Sequence, residues 1–152
     1  MRRRDIAQES IDRYDYSFWV VKRVEDIKCK CVDPVTKDAD PKCKHCLGLG
    51  HKIKIYQVKG ASRESKEFET VKSDNVSVTP KIFYVKTAIY VDRSDLIVDD
   101  ENVFIVYARQ YHRGENGEFK FTRCVCPDFK HNRNIFMKNF KELINEYKLR
   151  KK

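Results

Sequence analysis

Apolar and β-branched residues recur along this chain with a period of two far more often than with a helical period. From Phe18, "FWVVKRVEDIK" opens as an aromatic and β-branched run, and "HKIKIYQVKG" sets Ile53 and Ile55 against Lys52 and Lys54. In "PKIFYVKTAIYV", Phe83, Val85, Thr87, Ile89 and Val91 share one face, while Lys86 interrupts the other between Tyr84 and Ala88. Strands at Leu96–Val98, Val103–Arg109 and Glu118–Cys126 follow as a meander, separated by a turn at Asp99–Asn102 and a "GENG" turn. Strands apolar on one side and mixed on the other belong in an antiparallel sheet or a small barrel. The period changes only near the end, where Phe136, Phe140, Leu143, Ile144 and Tyr147 predict a helix with Asn132 or Asn134 as its N-cap. That stripe must pack on the sheet or on a neighbouring subunit.

The expected fold is therefore mainly β (α+β): a small antiparallel β-barrel or sandwich with an inserted cysteine knuckle and a C-terminal helix. The expected organisation is an N-terminal arm or helix over 1–17, a β-barrel domain over 18–131 and a helix with a basic tail over 132–152. The knuckle is inserted at about 28–52. The arm has only weak periodicity, through Ile6, Ile11 and Tyr14, and "ASRESKEFETVKSDN" is polar enough for a mobile loop or an edge hairpin.

At 152 residues the chain can bury roughly two-thirds of its unfolded surface, enough for one core. Its net charge of +9 is concentrated at Arg2, Arg3, Arg4, Lys148, Arg150, Lys151 and Lys152, which read as solvated ends or as phosphate-binding ones. No run approaches the roughly 18 apolar residues of a membrane span, and no apolar segment follows the N-terminal arginines. A soluble chain without a signal peptide is expected, and in a reducing compartment clustered cysteines are metal ligands or redox groups before they are disulfides.

Four of the six cysteines fall within "CKCVDPVTKDADPKCKHC", as C-x-C, eleven residues, then C-x2-C. Two short-range pairs separated by a reversing loop suit a tetrahedral Zn2+ site, so Cys29, Cys31, Cys43 and Cys46 are the expected ligands. Asp33-Pro34 and Asp40-Pro41 are turn formers at either end of the loop. Gly48 and Gly50 can take positive φ and bring backbone N–H groups close to a thiolate. His45 and His51 remain alternative ligands. A redox role for Cys43 and Cys46 lacks the usual strand-to-helix context, since "LGLGHKIKIY" reads as turn then strand. Four thiolates also leave no open position for a catalytic metal, so the zinc is expected to be structural, bracing a polar protrusion that could not hold itself. The C-x-x-C-x-G-x-G string resembles the repeated knuckle in the cysteine-rich domain of J-protein chaperones, but occurs once here.

The remaining chemistry is sparse. Cys124 and Cys126 lie two apart on a strand, as packing residues or as half of a second site. Asp95, Asp99, Asp100 and Glu101 cluster where turns need polar residues, and His112 has no nucleophile at a recognisable spacing. No phosphate-cradling glycine loop occurs, so an enzyme is not expected. Tyr107, Tyr111, Phe119 and Phe121 near basic residues leave a nucleic-acid-binding sheet open.

The series Asp95, Leu96, Ile97, Val98, Asp99, then Phe104, Ile105, Val106, resembles the Asp-led turn and following strand of head-closure and head-tail connector proteins of tailed bacteriophages. The early string Cys29, Cys31, Asp33, Pro34, Asp40, Pro41, Cys43, Cys46, Gly48 and Gly50 is also similar to one in several such phage proteins. Ser94 stands where the usual Gly precedes the turn. The resemblance, spanning roughly 18–128, implies a structural virion protein: a neck ring subunit for head completion or closure, made in the bacterial cytoplasm. It implies a homo-oligomeric ring, contacts with portal or adaptor and tail proteins, non-specific contact with packaged DNA, and no membrane. The alternative is a zinc-ribbon nucleic-acid-binding protein such as a phage transcription regulator.

Overall fold

In β1 (Tyr16–Lys28), Phe18 and Val20 alternate with Trp19 and Val21, and the two sets enter different cores. The computed structural model describes residues 16–64, 71–73, 76–78, 80–129 and 133–150. The further elements are β2 (His51–Glu64), β3 (Val71–Ser73), β4 (Val76–Val78), β5 (Lys81–Val85), β6 (Leu96–Asp99), β7 (Asn102–Ile105), β8 (Ala108–Arg113), β9 (Phe119–Cys126) and α1 (Arg133–Arg150). The protein is mainly β, as its periodicity predicts.

Seven strands form one antiparallel sheet in the order β7-β6-β1-β2-β5-β9-β8. Near the end of the polar segment 61–75, expected to be a loop or an edge hairpin, β3 pairs separately with β4 just beyond it, while the first four residues of that segment belong to β2. The edge strands β7 and β8 are consecutive in the chain, with only Val106 and Tyr107 between them. A flat seven-stranded sheet cannot satisfy that connection, so the sheet curls into a half-barrel. The β7 edge meets the chain that leaves β9 through Ile105 N–H to Pro127 O (3.0 Å) and Phe129 N–H to Val103 O (3.0 Å), while Tyr107 N–H to Val125 O (2.9 Å) leads into the β8-β9 pairing.

Two expectations change here. The run Val103–Arg109 is not one strand: it breaks at Val106 and Tyr107 as the chain passes from one edge to the other, so the four strands from β6 onward are two hairpins and not a meander. The face from Phe83 to Val91 is also not one strand, because β5 ends at Val85. There Lys86 N–H bonds Lys59 O (2.8 Å), and Lys59 N–H donates to Thr87 Oγ1 (2.9 Å) instead of to a continuing ladder. Val91 still reaches the core, but from a loop.

The concave face holds Phe18, Val20, Val58, Phe83, Val85, Val91, Ile97, Phe104, Val106, Cys124 and Cys126. Phe83 lies 5.2 Å, centroid to centroid, from both Phe18 and Phe104. The opposite face of β1, β6 and β7 presents Val21, Leu96, Val98 and Val103, and α1 covers them with Phe136, Met137, Phe140 and Ile144. The helical stripe therefore packs on the sheet of its own chain, with Leu143 partly buried beside it. All four residues of β6 are buried, because both of its faces are covered. Of the expected caps, Asn134 lies inside the helix and Asn132 lies outside the described residues, as do residues 1–15 of the arm expected over 1–17, whose last two residues, Tyr16 and Ser17, instead open β1.

Gly60 marks the bend where β2 passes from pairing with β1 to pairing with β5. A Cβ there would meet Tyr84 O at 1.8 Å, so only glycine permits the approach. The acidic residues do more than serve turns. Asp95 and Asp99 are buried, Asp95 bonding Lys22 Nζ at 2.7 Å and Asp99 bonding Lys81 Nζ at 3.1 Å and the Tyr16 hydroxyl. A buried carboxylate persists only when paired in this way.

Candidate metal centre

β1 delivers the first cysteine pair directly after Lys28, and β2 carries the chain away from the second at His51. Between them the loop reverses through side-chain-capped turns. Asp33 Oδ1 accepts from Val35 N–H (2.7 Å) and Thr36 N–H (3.2 Å), and Asp40 Oδ1 accepts from Lys42 N–H (3.0 Å). These are the Asx turns that the two Asp-Pro steps predict.

The four expected ligands converge. The sulfur atoms of Cys29, Cys31, Cys43 and Cys46 all lie within 4.8 Å of one another, with Cys29–Cys43 at 3.7 Å and Cys31–Cys46 at 3.5 Å. Sulfurs arranged tetrahedrally at ~2.3 Å from a zinc ion are about 3.8 Å apart, close to the observed separations and far from the ~2.05 Å of a disulfide. Both of these contacts cross from the first cysteine pair to the second, so the two turns meet at the sulfurs. Among the described residues this is the only convergence of three or more Cys, His, Asp or Glu side chains suited to a metal. Neither histidine belongs to it: His45 is exposed, and His51 turns toward a separate cleft.

Backbone donors complete the site. Burial raises the Cys46 thiol to about 12, against the opposing N–H of Gly50, and burial likewise raises Cys31 against the N–H of Asp40. At Cys43 burial also pushes upward, but the N–H groups of Cys46 and His45 and the neighbouring thiols outweigh it, and the thiol is lowered. N–H groups aimed at sulfur favour the thiolate. Four sulfurs within reach of one point, with backbone N–H groups aimed at three of them, suit a cation that displaces the thiol protons. Gly50 adopts φ +81° and Gly48 φ +79°, and a Cβ on Gly48 would press on Pro41 at 3.2 Å. Both glycines take the positive φ that their placement after Cys46 predicts, and Gly50 also brings its N–H to the Cys46 sulfur.

The knuckle is not a free-standing protrusion. Leu47, at φ +53°, is only 3 % exposed and enters the core between the sheet and α1, where Leu49 also packs. Asn139 Nδ2 of the helix donates to Lys42 O at 3.3 Å, and Lys44 pairs with Glu142 at 2.8 Å. Reading the stretch as polar overlooks its two leucines, and "CLGLG" holds the one local signal of docking: apolar residues alternating with glycines in a charged loop.

Cys124 and Cys126 lie elsewhere, fully buried on β9 within the concave core. Burial pushes Cys124 to about 12 and Cys126 well above the ordinary thiol range, so both are packing residues. His112 stacks on Phe121 at 4.3 Å. Among the described residues no helix is long and apolar enough to cross a membrane. No protein-family model matches the chain, and no curated protein matches it.

Proposed function

We propose that Cys29, Cys31, Cys43 and Cys46 hold one structural Zn2+ and that the protein is a structural subunit of a tailed-phage virion, a neck ring subunit in head completion or closure. The observation that carries the metal is the convergence of four cysteine sulfurs within 4.8 Å of one another, the number of ligands a closed structural zinc site takes. The virion reading rests on the resemblance of the cysteine string and of the Asp95–Val106 segment to connector proteins. That segment folds as the β6-β7 hairpin at a sheet edge, its turn carried by Asp100 at φ +53°.

A closed ring needs two different faces that meet head to tail. One candidate is the knuckle tip, where Val35 is 86 % exposed on a turn held by Asp33. The exposed side of α1 is another. In this role the zinc keeps a contact surface rigid, and portal, adaptor and tail proteins are the partners above and below the ring. Localisation would be the virion neck after synthesis in the bacterial cytoplasm.

The test is to mix labelled protein with portal-containing, DNA-filled heads and image them by electron microscopy. Multiple copies at one vertex are expected, with loss of that density for Val35→Asp. Label spread over the capsid, or absent from finished particles, would contradict the reading.

A further inference from the structure

An open cleft of about 810 Å³ lies beside the exit of the knuckle, lined by Arg23, His51, Asp92, Arg93, Asp95 and Arg109 among others. Its size is within the roughly 300–1,000 Å³ typical of ligand sites. A second hollow of about 390 Å³ adjoins it, sharing Arg93 and Arg109 and adding Tyr107.

Two features of the lining call for a ligand. The first is charge. Asp95 is already bonded to Lys22 at 2.7 Å, and Asp92 is shared between Lys22 at 3.3 Å and Arg109 at 3.6 Å. Among the described residues, two carboxylates thus face three lining arginines, Arg23, Arg93 and Arg109, together with Lys22 behind them, before His51 is considered. The second is polar bookkeeping. Among the described residues, buried side-chain nitrogens without a hydrogen-bond partner include Arg23 Nε, Arg109 Nε and His51 Nδ1, all on residues of this one cleft. Such donors are rarely left unmatched, and an anion held by guanidinium forks is the group that matches them.

The rim identifies the kind of anion. Tyr90 and Tyr107 are 66 % and 45 % exposed, and each lies beside an arginine: Arg109 is 5.7 Å from the Tyr90 ring and 4.5 Å from that of Tyr111, and Arg93 is 5.8 Å from the Tyr107 ring. Alternating guanidinium groups and exposed aromatic rings fit phosphates alternating with unpaired bases. We infer that this cleft binds single-stranded nucleic acid, with a phosphodiester against Arg23, Arg93 and Arg109 and bases stacked on Tyr90 and Tyr107. The inference stands independently of the ring reading and uses none of the basic terminal residues.

The experiment is fluorescence anisotropy of a labelled twelve-nucleotide thymidine strand titrated with the full, zinc-loaded chain. Arg109→Gln should weaken binding about tenfold or more. Because Arg109 also pairs with Asp92, the exposed Arg93→Gln, expected to lose a similar factor, keeps the test independent of folding. Tyr107→Leu should weaken the single strand about fivefold or more and leave a duplex of equal length unchanged. Lys138→Gln, an exposed cation on α1, should change binding less than about twofold. Equal losses for Arg93→Gln and Lys138→Gln would overturn the site in favour of diffuse charge. Competition by inorganic phosphate as effective as by the strand would reduce it to a free-anion site. Polyglutamate binding more tightly than the strand, with the same arginine dependence, would identify an acidic peptide instead.

Discussion

The knuckle and the half-barrel use the same residue in opposite ways. On β9, Cys124 and Cys126 are wholly buried among Phe18, Phe83 and Phe104, and burial keeps their thiols protonated. In the knuckle, Cys29, Cys31 and Cys43 are only half buried, the four sulfurs face one another, and backbone N–H groups point at those of Cys31, Cys43 and Cys46. The difference lies in what holds each region. The barrel is held by apolar area removed from water, and its cysteines are small apolar parts of that area. The knuckle between β1 and β2 has two leucines and a ring of charged residues, too little apolar surface to offset the ordering of its chain. Its shape therefore depends on what binds the sulfurs.

The sharpest way to break the comparison is to remove one sulfur from each region. Cys43→Ser, or chelation of the metal, should release the order of residues 29–50, because structural zinc supplies on the order of 10–16 kcal/mol of apparent binding energy in comparable sites. Amide exchange should rise throughout the knuckle while β5 and β9 stay protected. Leu47→Ala comes next. It leaves the four sulfurs but empties the seat between sheet and helix, and should cost about 2–5 kcal/mol in denaturant unfolding with one metal still bound. Cys124→Ser is the counterpart in the barrel. A hydroxyl without a partner in the concave core should cost about 1–3 kcal/mol globally, with metal content unchanged. If Cys124→Ser also released metal, the division between the two regions would be wrong.

The smallest effect concerns the contact between the start of β1 and the end of β6. The Tyr16 phenol is raised to about 12, first by its hydrogen bond to Asp99 and then by burial and the nearby carboxylates. The unfolded phenol ionises near 10, so the native state holds its proton longer; this stability is full below about pH 10 and is lost as pH rises toward 12. Tyr16 is 42 % exposed, so screening limits the effect to less than about 1 kcal/mol. Tyr16→Phe should lower the neutral stability by less than about 1 kcal/mol and flatten the alkaline limb of a stability-versus-pH series, where that difference disappears.

The sequence was most legible where one local rule sufficed. Cysteine spacing, two Asp-Pro steps and two glycines were enough to place all four sulfurs, because each constraint acts within a few residues. The period of two identified the β class and the last period change identified α1. What could not be read was non-local. "NVFIVYAR" alternates without interruption, yet the chain changes edges at Val106 and Tyr107, since only the curl of the sheet brings β7 near β9. "PKIFYVKTAIYV" likewise looks like one strand, and its ladder ends at Val85 only because Thr87 captures the N–H of Lys59. Asp95 and Asp99 read as turn residues because their partners Lys22 and Lys81 lie 73 and 18 positions away. The docking of Leu47 depends on a helix that begins at Arg133.

The central claim is that four thiolates bind one metal and thereby hold the knuckle. X-ray absorption at the zinc edge, on protein purified without added metal and quantified by elemental analysis, tests it most directly. One zinc per chain with four sulfur neighbours at about 2.3 Å is the expected result. A chain without zinc whose knuckle stays ordered with four titratable thiols, or a first shell containing nitrogen or oxygen, would contradict it.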